Sequence, residues 1–278
     1  MSAPLTEGAR SDRGERAGFV PRVLAVPAFV GLALLVLPLG ALVARVEWAT
    51  LWSDISSPQA LSALGLSLAT GAVATLACVV LGVPLALLIA RSTPRTAAVL
   101  RAAVTVPLVL PPMVGGVAML FLFGRTSVLG GALAEWGIRI PFTTAAVVLA
   151  QTFVALPFLV LALEGSLRAT GVGYEQAAAG LGAGHWTILT RVTLPLAAPG
   201  LVAGIVLCFA RAIGEFGATA LFAGNSPGVT QTMPLAIYTA FNGAGVSQGT
   251  AVALSLLLLV TAVGVLLLVR AWRAEAPR

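Results

Sequence analysis

The chain has 278 residues, of which 59% are hydrophobic and only 9% are charged, and its formal net charge is +6. A soluble domain carries roughly 25% charged residues, so this chain has too little charge to cover a water-exposed surface, and a lipid bilayer is the solvent that fits it. Its basic residues are all arginines in short clusters between apolar runs, not on one polar face with interleaved aromatics, which argues against a nucleic-acid partner.

Six apolar runs are long enough to cross a bilayer as helices, which takes about 20 residues each. In chain order they are residues 23–44, 60–90, 102–123, 143–163, a run from about 192 past 207, and 250–269. The sequence therefore predicts an all-α, polytopic membrane protein with about six transmembrane helices in a single domain over residues 22–273. The polar stretches 1–21 and 274–278 are expected to be cytoplasmic tails, the first of them disordered.

The first run is expected to stay in the mature protein. A cleaved signal peptide is the alternative, but its apolar core has only about 7–15 residues, and the run 23–44 is longer.

The distribution of arginine predicts the orientation. Six spans place both termini on one side of the membrane. If that side is the cytoplasm, twelve arginines fall in inside segments, and only Arg45, Arg125 and Arg139 fall in outside loops. Cytoplasmic loops carry the excess of positive residues in membrane proteins, so both termini are predicted to be cytoplasmic.

The third run contains Pro107, Pro111 and Pro112. Proline inside a helix removes a hydrogen bond and kinks the axis. In lipid such a break is tolerated where neighbouring helices or a water-filled cavity satisfy the freed backbone groups. The kink is therefore expected either to serve helix packing or to line a path through the bundle.

The longest predicted cytoplasmic connection is residues 164–191. Its alanine run 177–179 favours a helix, and Gly182 with Gly184 would end it. We expect one short helix, a sharp turn, and a second piece that leads into the membrane. A short helix with small side chains can dock in a groove of a partner protein.

This loop resembles the cytoplasmic motif of ABC importer permeases, which reads Glu-Ala-Ala, three residues, Gly, nine residues, then Ile-x-Leu-Pro. The residues that match at this spacing are Gln176, Ala177, Ala178, Gly182, Val192, Leu194 and Pro195. Gln176 replaces the family's Glu, with Glu175 just before it, so which of the two positions meets the partner stays open. The resemblance implies a type I importer permease fold, and a coupling helix seated in a cleft of a cytoplasmic ABC ATPase.

Two charged residues interrupt the fifth run. Arg211 and Glu215 lie four apart and therefore on one helical face, where they can pair. A charge in mid-membrane costs at least ~2.5 kcal/mol, so it normally faces the protein interior. The pair is interpreted either as a structural ion pair or as a site at which Arg211 biases the pathway toward anions.

The segment that follows, residues 223–238, has no charge and is rich in glycine, hydroxyl and amide groups. Neutral hydrogen-bond donors can pass an anion without trapping it, although the segment can equally be a simple outer loop. The candidate pathway residues are Arg211, Glu215, Thr219, Asn225, Thr230 and Thr232.

Four stretches resemble the molybdate permease branch of that family: residues 107–114, 211–219, 223–225 and 230–238. The resemblance covers roughly residues 55–270. It implies an importer for an oxyanion, with molybdate first and tungstate or sulfate as alternatives, because sulfate permeases share the Arg-Ala-x-Gly-Glu core. It further implies two copies of the ATPase, an oxyanion-binding protein outside, a homodimer that works by alternating access at its interface, and a bacterial cytoplasmic membrane.

The chain is not expected to be an enzyme. It has no Gly-x-x-x-x-Gly-Lys-Ser/Thr run, no lysine, no metal motif and no catalytic set. ATP is therefore expected on the partner subunit, and no cofactor on this chain. An alternative of another class is an ion-coupled secondary transporter, which usually needs intramembrane carboxylates or inverted repeats; Glu215 is the one carboxylate expected there.

Overall fold

The computed structural model describes residues 22–243 and 248–275, which form α-helices joined by turns and contain no strand. The expected disordered tail at residues 1–21 lies outside the described residues. So do residues 276–278 of the expected C-terminal tail, whose first residues belong to the last helix.

In chain order the helices are α1 (Ala25–Ala44), α2 (Leu51–Ile55), α3 (Pro58–Arg91), α4 (Pro94–Val109), α5 (Pro112–Phe123), α6 (Val128–Glu135), α7 (Thr144–Thr170), α8 (Gly173–Gly180), α9 (His185–Ile188), α10 (Leu194–Ile213), α11 (Gly217–Phe222), α12 (Met233–Asn242) and α13 (Gln248–Glu275). A π-helical segment, Leu189–Thr193, joins α9 to α10 without a break.

Helix α1 belongs to a separate unit, residues 1–45. It is apolar along its 20 residues, contains Pro38 and buries no side chain. Its length and composition suit a membrane span.

Four helices of the described residues are long and apolar enough to cross a bilayer: α1, α3, α7 and the continuous rod His185–Ile213. Helices α4 and α5 together make a fifth candidate, bent by 109°. The sixth predicted run lies in α13, whose apolar stretch Gly249–Val265 is shorter.

The sharp bend between α4 and α5 is caused by two consecutive prolines. Leu110 and Pro111 have extended ψ angles of 134° and 132°, because each precedes a proline that disfavours helical backbone at the residue before it. The run expected as one kinked helix is therefore two helices that meet at residues 110–111.

Helices α3, α7 and α10 form the centre of the second unit, residues 46–278, and pack through glycines. A Cβ on Gly82 of α3 would lie 2.7 Å from Leu159 Cδ2, and one on Gly200 of α10 would lie 2.3 Å from Ser166 Cβ. Small residues allow this approach, which is how helices gain van der Waals contact in lipid.

Helix α11 is held against α5 and α7. A Cβ on Gly116 of α5 would lie 2.8 Å from the carbonyl oxygen of Ala218. Phe222 is fully buried in a cluster with Val147 of α7 and Met119 of α5. This packing fixes the turn between α10 and α11, which contains Glu215, while Arg211 lies in the last turn of α10.

Candidate functional site

The connection between α7 and α9 contains the short helix that its alanine run predicted. Helix α8 is closed by a left-handed glycine, Gly182, with φ of +83°. The Gly182 N–H donates to the Ala179 carbonyl at 2.9 Å, and the Ala183 N–H donates to the Ala178 carbonyl at 3.1 Å. These two bonds form a Schellman motif. The predicted sequence of short helix, sharp turn and second helical piece is therefore confirmed.

Glu175 fastens α8 to two other elements. Its carboxylate pairs with Arg91, the last residue of α3, and accepts a hydrogen bond from Thr193 Oγ1 at 2.8 Å. The Glu175 side chain is 22% exposed, whereas Gln176 is exposed. The two positions that the motif left open thus have different surroundings: Glu175 pairs with its own chain, and the Gln176 side chain is exposed.

The remaining motif residues lie beside these two. Ala177 is exposed and Ala178 is half-buried, while Leu194 and Pro195 begin α10. Pro195 has no N–H to donate to the Arg191 carbonyl four residues earlier, and the preceding turn is π-helical, with the Leu194 N–H bonded to the Leu189 carbonyl.

The surface around α8 is apolar and open. Leu181 is 90% exposed, Trp186 is 76% exposed and Tyr174 is 65% exposed. Exposed apolar side chains of this size occur at protein–protein and membrane contacts. A cavity of about 430 Å³ lies beside it, lined by Leu87, Arg91, Glu175, Gln176, Ala179, Ala183, His185, Ile188, Leu189 and Thr193.

A second group of polar residues lies where α10 ends. Arg211 Nη2 is 2.7 Å from Glu215 Oε2, which confirms that the two residues pair. Glu215 is 1% exposed, and its other oxygen accepts the Ala218 N–H at 2.7 Å. The Arg211 side chain remains 26% exposed. Glu215 therefore holds Arg211 against the turn that leads into α11.

Two of the outer candidate residues are occupied in folding their own segment. Asn225 accepts from Gln231 Nε2 and donates to Thr239 Oγ1, both at 2.9 Å. Thr230 accepts the Ser226 N–H at 2.9 Å. These contacts give Asn225 and Thr230 a structural role, and their role toward an anion stays a prediction.

The other two outer candidates have free hydroxyls. Thr219 and Thr232 are fully buried, and neither Oγ1 atom has a hydrogen-bond partner among the described residues. Thr219 lies on α11, one turn beyond Glu215, and Thr232 directly precedes α12.

Sequence reasoning missed Glu164, which it placed in the cytoplasmic loop. Helix α7 continues to Thr170, and Glu164 is buried on it at 3% exposure. Its carboxylate pairs with Arg101 of α4 and accepts from Arg168 Nε at 2.7 Å. The i, i+4 spacing of Glu164 and Arg168 was the available signal.

Gln151 was also missed. It lies inside the apolar run of α7, is fully buried, and has no hydrogen-bond partner for either amide atom among the described residues. The sequence signal was one amide in a run that otherwise has no stronger polar group than threonine.

Comparisons with known proteins place these features in a family. A family profile described as "Binding-protein-dependent transport system inner membrane component" matches residues 82–273. The "Molybdenum transport system permease protein ModB" of Mycobacterium tuberculosis is 51% identical over 248 residues, which are 89% of this chain and 93% of the relative. The Escherichia coli protein of the same name is 41% identical over 67% of this chain and 82% of its own length.

Other comparisons extend the likeness. The Escherichia coli "Sulfate transport system permease protein CysT" is 36% identical over 76% of both chains. A bacterial ABC transporter involved in alginate import matches with a TM-score of 0.69 at 15% identity over 92% of this chain and 96% of its own. The MetNI methionine ABC transporter matches with a TM-score of 0.63 at 20% identity over 78% and 96%. These structures show a shared fold and confirm the expected all-α importer permease fold.

Proposed function

Because the chain belongs to the family of binding-protein-dependent transport system inner membrane components, we propose that it is the permease subunit of an ATP-driven importer whose cargo is molybdate. The observation that carries the cargo is the 51% identity, over 89% of the chain, to a permease named for molybdenum transport. The chain itself is a permease and not an enzyme.

The geometry of α8 supports a mechanical link to a separate ATPase. Gln176 and the large apolar residues Leu181 and Trp186 are exposed, as a docking surface requires. Glu175 secures α8 to the end of α3 and to Thr193, which directly precedes α10. In this proposal two copies of a cytoplasmic ABC ATPase hold the ATP, and closure of the ATPases moves α8 together with the helices attached to it.

The exposure of Arg211 supports a homodimer. The residue lies within a membrane-spanning rod, yet its side chain is 26% exposed in the single chain. A charged group left open to lipid is costly, so a second copy that covers this face, with the pathway at the interface, removes the cost. At this interface, the positive charge of Arg211 favours anions. Alternating access then delivers the cargo from an extracytoplasmic binding protein to the cytoplasm.

The expected orientation belongs to the same proposal. Both termini are cytoplasmic in the bacterial inner membrane, in line with the arginine bias of twelve inside to three outside. Arg91, Glu175 and Thr193 then lie together at the cytoplasmic ends of their helices, on the ATPase side.

Reconstitution tests the function. The permease, its ATPase and its binding protein are placed in liposomes, and uptake of molybdate is measured with and without ATP and in competition with tungstate and sulfate. We expect molybdate uptake to require ATP and its hydrolysis. Unlabelled molybdate and tungstate should inhibit this uptake more strongly than sulfate does. Uptake by the permease alone, without an ATPase, would favour the ion-coupled transporter and overturn the proposal.

Sulfate is the second candidate cargo, because 36% identity links the chain to a sulfate permease. If sulfate competes as well as molybdate in the complete system, sulfate is the favoured cargo.

A further inference from the structure

An apolar cavity with two arginines lies between the end of α5, the helix α6 and the start of α7. Its volume is about 340 Å³, which is within the range of sites that hold small molecules. Most of its wall is apolar, and Arg125 and Arg139 also line it. The largest apolar residues of the wall are Leu120, Phe123, Leu133, Ile138, Ile140 and Phe142. None of the candidate coupling or pathway residues lines this cavity, so the transport mechanism leaves it without a role.

The two arginines of the cavity are cations without a protein partner. Both residues are exposed, and neither makes an ion pair or a hydrogen bond with the part of the chain that the structure describes. Glu135, the carboxylate nearest to Arg139 in sequence, does not line the cavity. The cavity therefore has a net positive charge, which favours an anionic ligand.

The cavity also collects arginine on the side of the membrane where arginine is scarce. Only Arg45, Arg125 and Arg139 are expected outside, because the positive residues of membrane proteins concentrate in cytoplasmic loops. Two of these three residues meet at one cavity. Their positive charges therefore call for a local explanation, and an anion held between them supplies one.

The depth of the cavity identifies the kind of anion. Phe123 is the last residue of α5 and Phe142 lies just before α7, and both of these helices belong to candidate membrane spans. The polar headgroup layer of a bilayer lies where the spans end. Trp136, at the end of α6, is 84% exposed, and tryptophan is enriched at the membrane–water interface. An anion in this cavity is thus level with the phosphates of the lipids.

Phe142 gives a second, independent indication of a ligand. Its φ of +63° is the only positive φ outside glycine in the described ranges 22–243 and 248–275, and its side chain is 63% exposed. The Phe142 N–H donates to the Phe222 carbonyl at 3.2 Å, and a Cβ on Gly224 would lie 3.1 Å from Phe142 Cδ1. Such strained residues cluster at ligand sites, where neighbouring contacts hold them in place.

We propose that this cavity binds an anionic phospholipid, whose phosphate pairs with Arg125 and Arg139 while its glycerol and the first part of an acyl chain lie against the apolar wall. The planar guanidinium of arginine matches a phosphate with two parallel hydrogen bonds. The rest of the lipid stays in the bilayer. A free phosphate ion would satisfy the arginines but leave the apolar wall uncovered. This inference goes beyond the proposed function, because it concerns neither the cargo nor ATP.

Counting bound lipids tests the proposal. The complete transporter is purified in a neutral detergent and supplied with equal amounts of phosphatidylglycerol, which is anionic, and phosphatidylcholine, which is not. Native mass spectrometry then counts the lipids that remain bound. We expect the double variant Arg125→Gln with Arg139→Gln to lose one phosphatidylglycerol per permease copy and no phosphatidylcholine. Its Tm in phosphatidylcholine should be unchanged, since both arginines are exposed and unpaired.

Two further variants separate this site from a general attraction of anionic lipid. Arg45→Gln removes the third arginine expected outside, which belongs to the separate unit of residues 1–45, and it should retain all of the phosphatidylglycerol. Ile138→Ser keeps both arginines and changes a 50% exposed residue of the apolar wall. It should lower the retained phosphatidylglycerol at this site at least twofold. Inorganic phosphate, which has no acyl chain, should not displace the lipid.

Three outcomes would overturn the inference. Full retention of phosphatidylglycerol by the double variant would show that the arginines bind no lipid, and weaker attachment of the binding protein in that case would assign them to a protein contact. An equal loss in Arg45→Gln would show a general charge effect. Displacement by inorganic phosphate would make the cavity a site for a free oxyanion. Failure of the complex to take up molybdate would overturn the proposed function alone, because the lipid count does not depend on transport.

Discussion

Glu175 of α8 forms an ion pair with Arg91, the last residue of α3, although 84 positions separate them in the chain. The same carboxylate accepts a hydrogen bond from Thr193, just before α10. One side chain thus ties the loop helix to two long helices of the bundle. The loop is therefore an attached part of the bundle rather than a free connection.

Removing the ion pair between Glu175 and Arg91 should impair transport more than it impairs folding. Glu175→Gln is expected to lower ATP-driven uptake about five- to tenfold, because α8 would move without carrying α3 with it. The free energy of unfolding should change by less than about 1 kcal/mol, since both partners are partly exposed. Uptake in proteoliposomes and Tm in detergent measure the two effects.

The exchanged pair Arg91→Glu with Glu175→Arg should recover part of the uptake, because it restores the contact with the charges reversed. Arg95→Gln, which removes an exposed arginine of the same region that makes no ion pair among the described residues, is the control. If the exchanged pair recovers no uptake, the Glu175–Arg91 contact does not couple α8 to α3.

Gly182 should tolerate substitution poorly. Its φ of +83° is closed to proline, which requires about −65° and also lacks the N–H that Gly182 donates to Ala179. Gly182→Pro is expected to abolish uptake while the protein still inserts into the membrane, and Gly182→Ala to cost about 1 kcal/mol.

Gly180→Ala is the matched control for Gly182, because Gly180 is the last residue of α8 and has open space where a Cβ would be added. It should insert and transport normally. Normal uptake by Gly182→Pro would contradict a coupling role for this loop.

Glu164 should contribute more to stability than any exposed acidic residue. Glu164→Gln leaves Arg101 and Arg168 without their shared carboxylate at a 3% exposed position. We expect a loss of about 2–3 kcal/mol, below the usual range for buried pairs because the two arginines are partly exposed. Thermal unfolding in detergent checks this.

Arg168→Gln should cost less than Glu164→Gln, because Arg101 still neutralises the carboxylate. An equal or greater loss in Arg168→Gln would show that the glutamate is not the centre of the group.

Two variants separate the structural from the anion-selecting interpretation of Arg211. Arg211→Gln leaves Glu215 buried without its cation and should lower both Tm and uptake. Adding Glu215→Gln removes the unpaired charge and should restore most of the Tm. Uptake that stays low in the double variant would assign Arg211 to the anion pathway, and uptake that returns with the Tm would make the pair structural.

The sequence predicted α8 and its turn because the signals are local: an alanine run, and a glycine where a left-handed residue closes the helix. It located the break near Pro111, but the 109° angle also depends on how α5 packs against α11 through Gly116 and Ala218. Such contacts join distant parts of the chain and leave no local pattern.

Glu164 shows the same limit at the site. A carboxylate at the end of an apolar run looks like the start of a polar loop, and one of the two arginines that pair with it, Arg101, lies 63 residues away on another helix. Asn225 is the reverse case, because its composition suggested a free donor, and its partners Gln231 and Thr239 appear only once the segment is folded.

The rod from His185 to Ile213 is 29 residues long, or about 44 Å at 1.5 Å per residue. The π-helical turn keeps its backbone continuous, and Gly200 and Gly204 press its midpoint against α7. A continuous helix that is held near its centre acts as a lever. A push of a few ångströms at the His185 end would therefore swing the Arg211 end the opposite way by a similar distance, with no hinge needed in between.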